Sequence, residues 1–131
     1  MVKRGSKATV LIIEDEGDIR TFASRVFELE GYHVLQAVDG DEGLRLARQG
    51  GIGLVLLDLR LPRRDGWAVL SQMKSNPGLS LIPVVVFTAS AGAPQRSRAL
   101  AAGAADYLVK PLSAASLKKA ISRILRQKRR H

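Results

Sequence analysis

Four apolar runs in this chain end in side chains that can do chemistry. Thr9–Ile13 runs into Glu14, Asp15 and Glu16, and Leu54–Leu57 stops at Asp58. Pro83–Phe87 is followed by Thr88, Ala89 and Ser90, and Tyr107–Val109 by Lys110 and Pro111. A carboxylate at the end of a buried run is costly unless it is paired. Clustered carboxylates repel one another and hold their protons more tightly. Two things can offset them here: the Lys110 ammonium, and a hard divalent cation such as Mg²⁺ or Mn²⁺, which takes oxygen ligands and usually keeps waters. Asp15 and Asp58 are the candidates to bind such an ion directly, with Glu14 reaching it through water. A metal, a carboxylate nucleophile, a lysine and a threonine are the parts needed to receive a phosphoryl group. Asp58 would attack phosphorus, Lys110 and the cation would neutralise the equatorial oxygens, and Thr88 would hydrogen-bond one of them.

This chemistry requires the ends of separate runs to meet, so the elements between them matter. Five short apolar runs, these four and His33–Ala37, alternate with five helical patterns. Three of the runs are nearly continuous in Val, Leu and Ile, as in parallel strands covered on both faces. Ile19, Phe22, Ala23 and Val26 recur at helical spacing, with Gly31 as a stop. Asp39 with Glu42 makes a capping box for a second helix that Gly50 and Gly51 end. Asp65 caps a third through Leu70 and Met73, broken by "NPG" at 76–78. Pro94 suits the first turn of a fourth, which Gly103 ends, and Ser113 caps a fifth with the stripe Leu117, Ile121, Ile124 and Leu125. A βα unit repeated five times predicts an α/β fold, an open, doubly wound parallel sheet with helices on both faces. Ligands of such folds sit beyond the carboxyl ends of the strands.

The chain has 131 residues and no cysteine, which suits one domain without disulfides or thiolate metal sites. No stretch approaches the roughly 20 apolar residues of a membrane span, and no apolar leader follows the basic start, so a soluble cytoplasmic protein without membrane insertion is expected. The net charge of +9 is uneven. From Tyr107 onward there are eight Lys or Arg and no acid, while the part between the two basic ends carries ten basic residues against twelve acidic ones. Residues 1–7 are expected to be a basic tail, 8–126 the domain, and 127–131 a second basic tail. The basic fifth helix reads first as a solvated face.

In its motifs "LIIEDE", "VLLDLRLPRRDG", "VVVFTAS" and "ADYLVKP" the chain resembles the receiver domains of two-component response regulators, from about Thr9 to Leu125. The resemblance implies a flavodoxin-like sheet of order 2-1-3-4-5, like the single-domain chemotaxis regulators. It makes Asp58 the phosphoacceptor and Glu14 and Asp15 the acidic metal pocket. The Arg60 carbonyl becomes a further ligand, and Thr88 and Lys110 contact the phosphoryl group. Ala89 would leave room for that group, and Ser90 with the Arg60 side chain would flank the path of attacking water. Tyr107 would be an aromatic switch, turning inward as Thr88 moves, and Lys110–Pro111 would be cis. The implied partners are a sensor histidine kinase or phosphotransfer protein and an unidentified output protein that reads the α4-β5-α5 face. The expected state is a monomer or a phosphorylation-dependent dimer in a bacterial cytoplasm. Arg63 and Arg64 depart from the family, which often has an apolar residue such as Met at the second position, and they make the loop unusually basic.

Other readings compete. The protein would not be an enzyme beyond its own phosphorylation and dephosphorylation. A dehalogenase-like phosphatase wants a second Asp two residues after the nucleophile, where Arg60 stands. A phosphorylation-independent pseudo-receiver is the main alternative. Nucleic-acid binding through the fifth helix lacks interleaved aromatics and a reading motif. Trp67 and His33 read as structural. "RQKRRH" ends the chain where a linker to a further domain can begin.

Overall fold

The computed structural model describes residues 8–129, with side chains through Arg126. The expected tail at 1–7 therefore lies outside the described residues, as do 130–131 and the side chains of 127–129. Ten elements alternate: β1 (Thr9–Ile13), α1 (Gly17–Leu29), β2 (His33–Ala37), α2 (Gly40–Arg48), β3 (Ile52–Leu57), α3 (Gly66–Ser75), β4 (Val84–Thr88), α4 (Ala93–Ala101), β5 (Asp106–Val109) and α5 (Ala114–Arg129). All strand pairs are parallel and the sheet order is β2-β1-β3-β4-β5.

Side-chain alternation along the strands divides the interior in two. Leu11, Ile13, Val55, Leu57, Val84 and Val86 pack with Leu44 of α2, with Val69, Leu70 and Met73 of α3, and with Ala99 of α4. Val10, Ile12, Leu54, Leu56, Val85 and Phe87 pack with Phe27 of α1 and Leu117 and Ile121 of α5. The unbroken apolar runs thus reflect burial on both faces. β2 is an edge strand and is more open: His33 is exposed, so it is a surface residue of the sheet edge and not part of the core. β4 begins at Val84, one residue later than expected, because Pro83 has no N–H to give; its carbonyl still accepts from Val55 N at 3.0 Å.

The helix ends follow the local chemistry. Asp39 and Asp65 accept from the N–H groups of Glu42 (2.8 Å) and Ala68 (2.9 Å), and the Ser113 hydroxyl accepts from Ser116 N at 3.0 Å. The reciprocal half of the box at α2 differs from expectation, since the Glu42 carboxylate reaches past Asp39 to Val38 N at 2.9 Å. Gly31, Gly50, Gly51 and Gly103 take positive φ where chains leave helices.

Ser24, buried on α1, holds the only buried side-chain polar atom without a hydrogen-bond partner among the described residues. Ser24→Ala removes an unsatisfied hydroxyl and raises helix propensity, so it should stabilise the fold by about 1 kcal/mol. A urea midpoint at or below that of the wild type would contradict this.

Candidate functional site

The parallel register delivers the acidic groups to one place. Ile13 lies opposite Leu57 on one side and Ala37 on the other. The ladder continues one step further, with Asp58 N donating to Ile13 O (3.1 Å) and Glu14 N to Ala37 O (3.0 Å). Glu14 and Asp58 therefore emerge side by side just beyond β1 and β3, both buried. Across the sheet, Thr88 pairs with Val109, and Lys110 N donates to Thr88 O at 2.8 Å. That places Lys110 at the same edge, and the Lys110–Pro111 bond is cis.

The Lys110 ammonium bridges the two buried carboxylates. Its Nζ donates to Glu14 Oε1 at 2.7 Å and to Asp58 Oδ2 at 3.1 Å, and it lies 5.5 Å from the centre of the Phe87 ring. Asp58 Oδ1 accepts from Arg60 N at 3.2 Å, and Glu14 Oε2 from Glu16 N at 3.1 Å. Burial pushes the Glu14 carboxyl above the usual carboxylate range, and the neighbouring charge of Asp58 adds to this, against the pull of Lys110 and Glu16 N. Burial alone would lower the pKa of Lys110. Its bond to Glu14 and the charge and hydrogen bond of Asp58 outweigh that, and hold it above the ordinary lysine value.

Asp15 completes the set. Glu14, Asp15 and Asp58 can each offer an oxygen, with all three oxygens within 4.8 Å of one another. Asp15 is exposed, and its carboxylate has no protein partner among the described residues. An all-oxygen, carboxylate-rich set with one unengaged member fits a hard divalent cation.

The remaining predicted positions fall around this pocket. Thr88 ends β4 fully buried, with its hydroxyl oxygen 3.5 Å from Ser90 N. Ala89 is exposed and Ser90 half-buried. Tyr107 is buried, its hydroxyl donating to Ser90 O at 2.7 Å, and burial raises its pKa. Arg96 of α4 donates to Tyr107 O at 3.0 Å, while Asp106 accepts from Arg123 of α5 at 2.9 Å, so both helices are tied to β5. An open cleft of about 480 Å³ lies beside Asp58, lined by Leu59, Arg60, Asp65, Trp67, Ser90 and Gln95. The Trp67 ring also carries the Arg98 guanidinium at 3.9 Å, a cation–π contact that joins α3 to α4.

Two features were not legible in the motifs. Gly66, the first residue of the helix that Asp65 caps, is pressed so closely on the main chain of Asp58 that a Cβ there would lie 2.3 Å from Asp58 O. The two arginines do not leave the loop basic either: Arg63 pairs with Asp39 at 3.3 Å and Arg64 with Asp41 at 2.9 Å, at the start of α2. Along α5, Arg123 pairs with Asp106 and Lys118 with Glu30 at 3.5 Å.

Comparison with known proteins points one way. A family model, that of the response regulator receiver domain, matches residues 10–122. A transcriptional regulatory protein of Bacillus subtilis (strain 168), YkoG, described as uncharacterized, is 39% identical over 121 residues, covering 92% of this chain and 52% of its own. A probable transcriptional regulator, ycf27, of Porphyridium aerugineum is 35% identical, covering 92% of this chain and 49% of its own. The chain thus spans about half the length of these curated relatives. Among solved structures, a CheY-like receiver domain protein of Methanospirillum hungatei JF-1 superposes with a TM-score of 0.87 at 28% identity, covering 95% of this chain and 98% of its own. The chemotaxis response regulator CheY4 of Vibrio cholerae superposes at 0.86 with 26% identity, covering 91% and 99%.

Two outcomes test this geometry. Gly66→Ala should destabilise the fold by about 2 kcal/mol through overpacking against the backbone of Asp58; an unchanged urea midpoint would show that α3 has room to move. Lys110 has a raised pKa in the folded state, so its contribution to stability is complete below the ordinary lysine value of 10.5 and lost as pH rises through the folded value. Wild-type stability should therefore fall more steeply above pH 10.5 than that of Lys110→Met, and parallel curves would refute the coupling.

Proposed function

Because this chain belongs to the response regulator receiver domain family, we propose that it is a phosphorylation switch with Asp58 as the phosphoacceptor. The observation that carries this reading is the bridge from Lys110 to Glu14 and Asp58 beside the unengaged carboxylate of Asp15. One oxygen of Asp58 attacks the phosphorus of a phosphohistidine on a kinase or phosphotransfer protein. An acyl phosphate forms, the P–N bond breaks, and its electron pair returns to the imidazole. Glu14, Asp15, Asp58 and the carbonyl oxygen of Arg60 would hold a divalent cation, Mg²⁺ or Mn²⁺, which would supply charge neutralisation at the phosphoryl oxygens.

The chain's own groups do the rest. Lys110 moves part of its hydrogen bonding from the carboxylates to the phosphoryl oxygens, and the Thr88 hydroxyl donates to one of them. Ala89 leaves space above Thr88, and the Arg60 side chain and Ser90 border the approach of water that later cleaves the acyl phosphate. Movement of Thr88 and Ser90 reaches Tyr107 through the bond to Ser90 O, and from Tyr107 O it reaches Arg96 and α4. This chain supports a readout at the α4-β5-α5 face by an output protein. On this reading the protein acts on no separate substrate, and it works in the cytoplasm, where its kinase presents the phosphohistidine.

Intact mass after incubation with Mg²⁺ and acetyl phosphate tests the proposal. One phosphoryl adduct is expected, absent from Asp58→Asn and absent when EDTA is added. No adduct from acetyl phosphate or from a phosphohistidine donor, on folded protein, would overturn it in favour of a phosphorylation-independent interaction module.

A further inference from the structure

Arg20 makes the contacts that shape the acidic loop, although it touches none of the pocket carboxylates. It stands in the first turn of α1 and is half-buried. Its Nη1 donates to Glu14 O at 2.8 Å and to Asp15 O at 3.3 Å. Its Nε donates to Gln36 Oε1 at 3.1 Å, on the neighbouring strand β2. Its own N–H donates to Glu16 O at 2.9 Å. One residue thus engages the carbonyls of Glu14, Asp15 and Glu16 in succession.

We propose that Arg20 is a positioning residue for the acidic pocket, whose guanidinium fixes the main chain on both sides of Asp15 so that the Asp15 and Glu14 carboxylates are held toward a divalent cation; this rests on the metal reading above. Local structure creates the need. Glu16, the N-cap of α1, makes no side-chain cap, and the bond of its N–H to the Glu14 carboxylate leaves the carbonyls of the turn between β1 and the helix for Arg20 to hold. The two peptide planes flanking Asp15 are those whose oxygens Arg20 holds, and fixing both planes fixes the direction in which the Asp15 side chain leaves the backbone. Gln36 orients the guanidinium from β2, so the clamp is referenced to the sheet and not only to the helix it helps to start.

The charge placement also fits. Lys110 offsets the carboxylates by bonding directly to one oxygen of each. Arg20 adds positive charge from the carbonyl side, where it competes for no carboxylate oxygen and leaves Asp15 unengaged. A lysine could supply the charge but not the planar fork that spans two carbonyls and a glutamine.

The test is the affinity for Mn²⁺ alone, counted by the electron paramagnetic resonance of the free ion, with thermal unfolding measured on the same samples. Arg20→Gln should bind Mn²⁺ roughly tenfold more weakly, the low end of what losing a group that orients a metal ligand costs. Arg20→Lys should fall between Arg20→Gln and the wild type, and Gln36→Ala, at an exposed strand position, should show a smaller loss in the same direction. Lowered melting temperatures with unchanged Mn²⁺ affinity would assign Arg20 to stability alone and overturn the proposal. Should Arg20→Gln fail to fold, wild-type affinity in both Arg20→Lys and Gln36→Ala would overturn it equally. Wild-type protein that takes up no Mn²⁺ would overturn the metal reading itself, and this inference with it.

Discussion

The Lys110 ammonium, 2.7 Å from Glu14 and 3.1 Å from Asp58, is the contact on which the site depends. Two carboxylates this buried repel each other and lose their hydration, and the cation between them compensates for both only if its geometry is good. That geometry is assembled from residues 52 and 96 positions apart in sequence. It holds only while β1, β3 and β5 end at the same level of the sheet. A one-residue slip of any of these strands would turn its terminal side chain to the other face, which makes strand register a condition of the chemistry.

The packing around the pocket serves the same alignment. Gly66 lets α3 begin against the backbone of Asp58, and Arg63 and Arg64 pin the loop after Asp58 to the start of α2. These pairs are partly exposed, so each adds little free energy; their consequence is the placement of a loop. On the other side, Tyr107, Arg96 and Asp106 connect the end of β4 to α4, β5 and α5, while Arg98 over Trp67 joins α4 back to α3. α4 buries only Ala99. It is held mainly by these directional contacts and not by buried apolar area, as in segments of low local stability.

Much of this was legible from residue types. Val, Leu and Ile runs with no polar alternation marked strands covered on both faces, and all five strands lie where the runs are, within two residues. Asp39, Asp65 and Ser113 cap helices because a short polar side chain before an apolar periodic stretch has a nearby N–H to accept from. Glu14, Asp15, Asp58, Thr88 and Lys110 stood out because polar and charged groups ended apolar runs, and the fold brings those ends together. The pairing of Arg63 and Arg64 was not legible, since their partners lie more than 20 residues earlier and a charge run carries no record of what it faces. The same holds for Arg20, whose partners are main-chain oxygens common to every residue and so leave no signature in side-chain types.

By itself, then, the sequence determined the order of elements, the two-sided burial of the sheet and the identity of the groups at its carboxyl edge, because periodicity and capping act over neighbouring residues. Only the tertiary structure decided which of those groups touch. It settled that Lys110 bridges Glu14 and Asp58 while Asp15 has no partner among the described residues, that Tyr107 is buried on Ser90 O, and that Arg63 and Arg64 pair with Asp39 and Asp41. Those outcomes depend on distances between segments far apart in the chain, fixed by strand register and by the close packing of α3 on the backbone of Asp58.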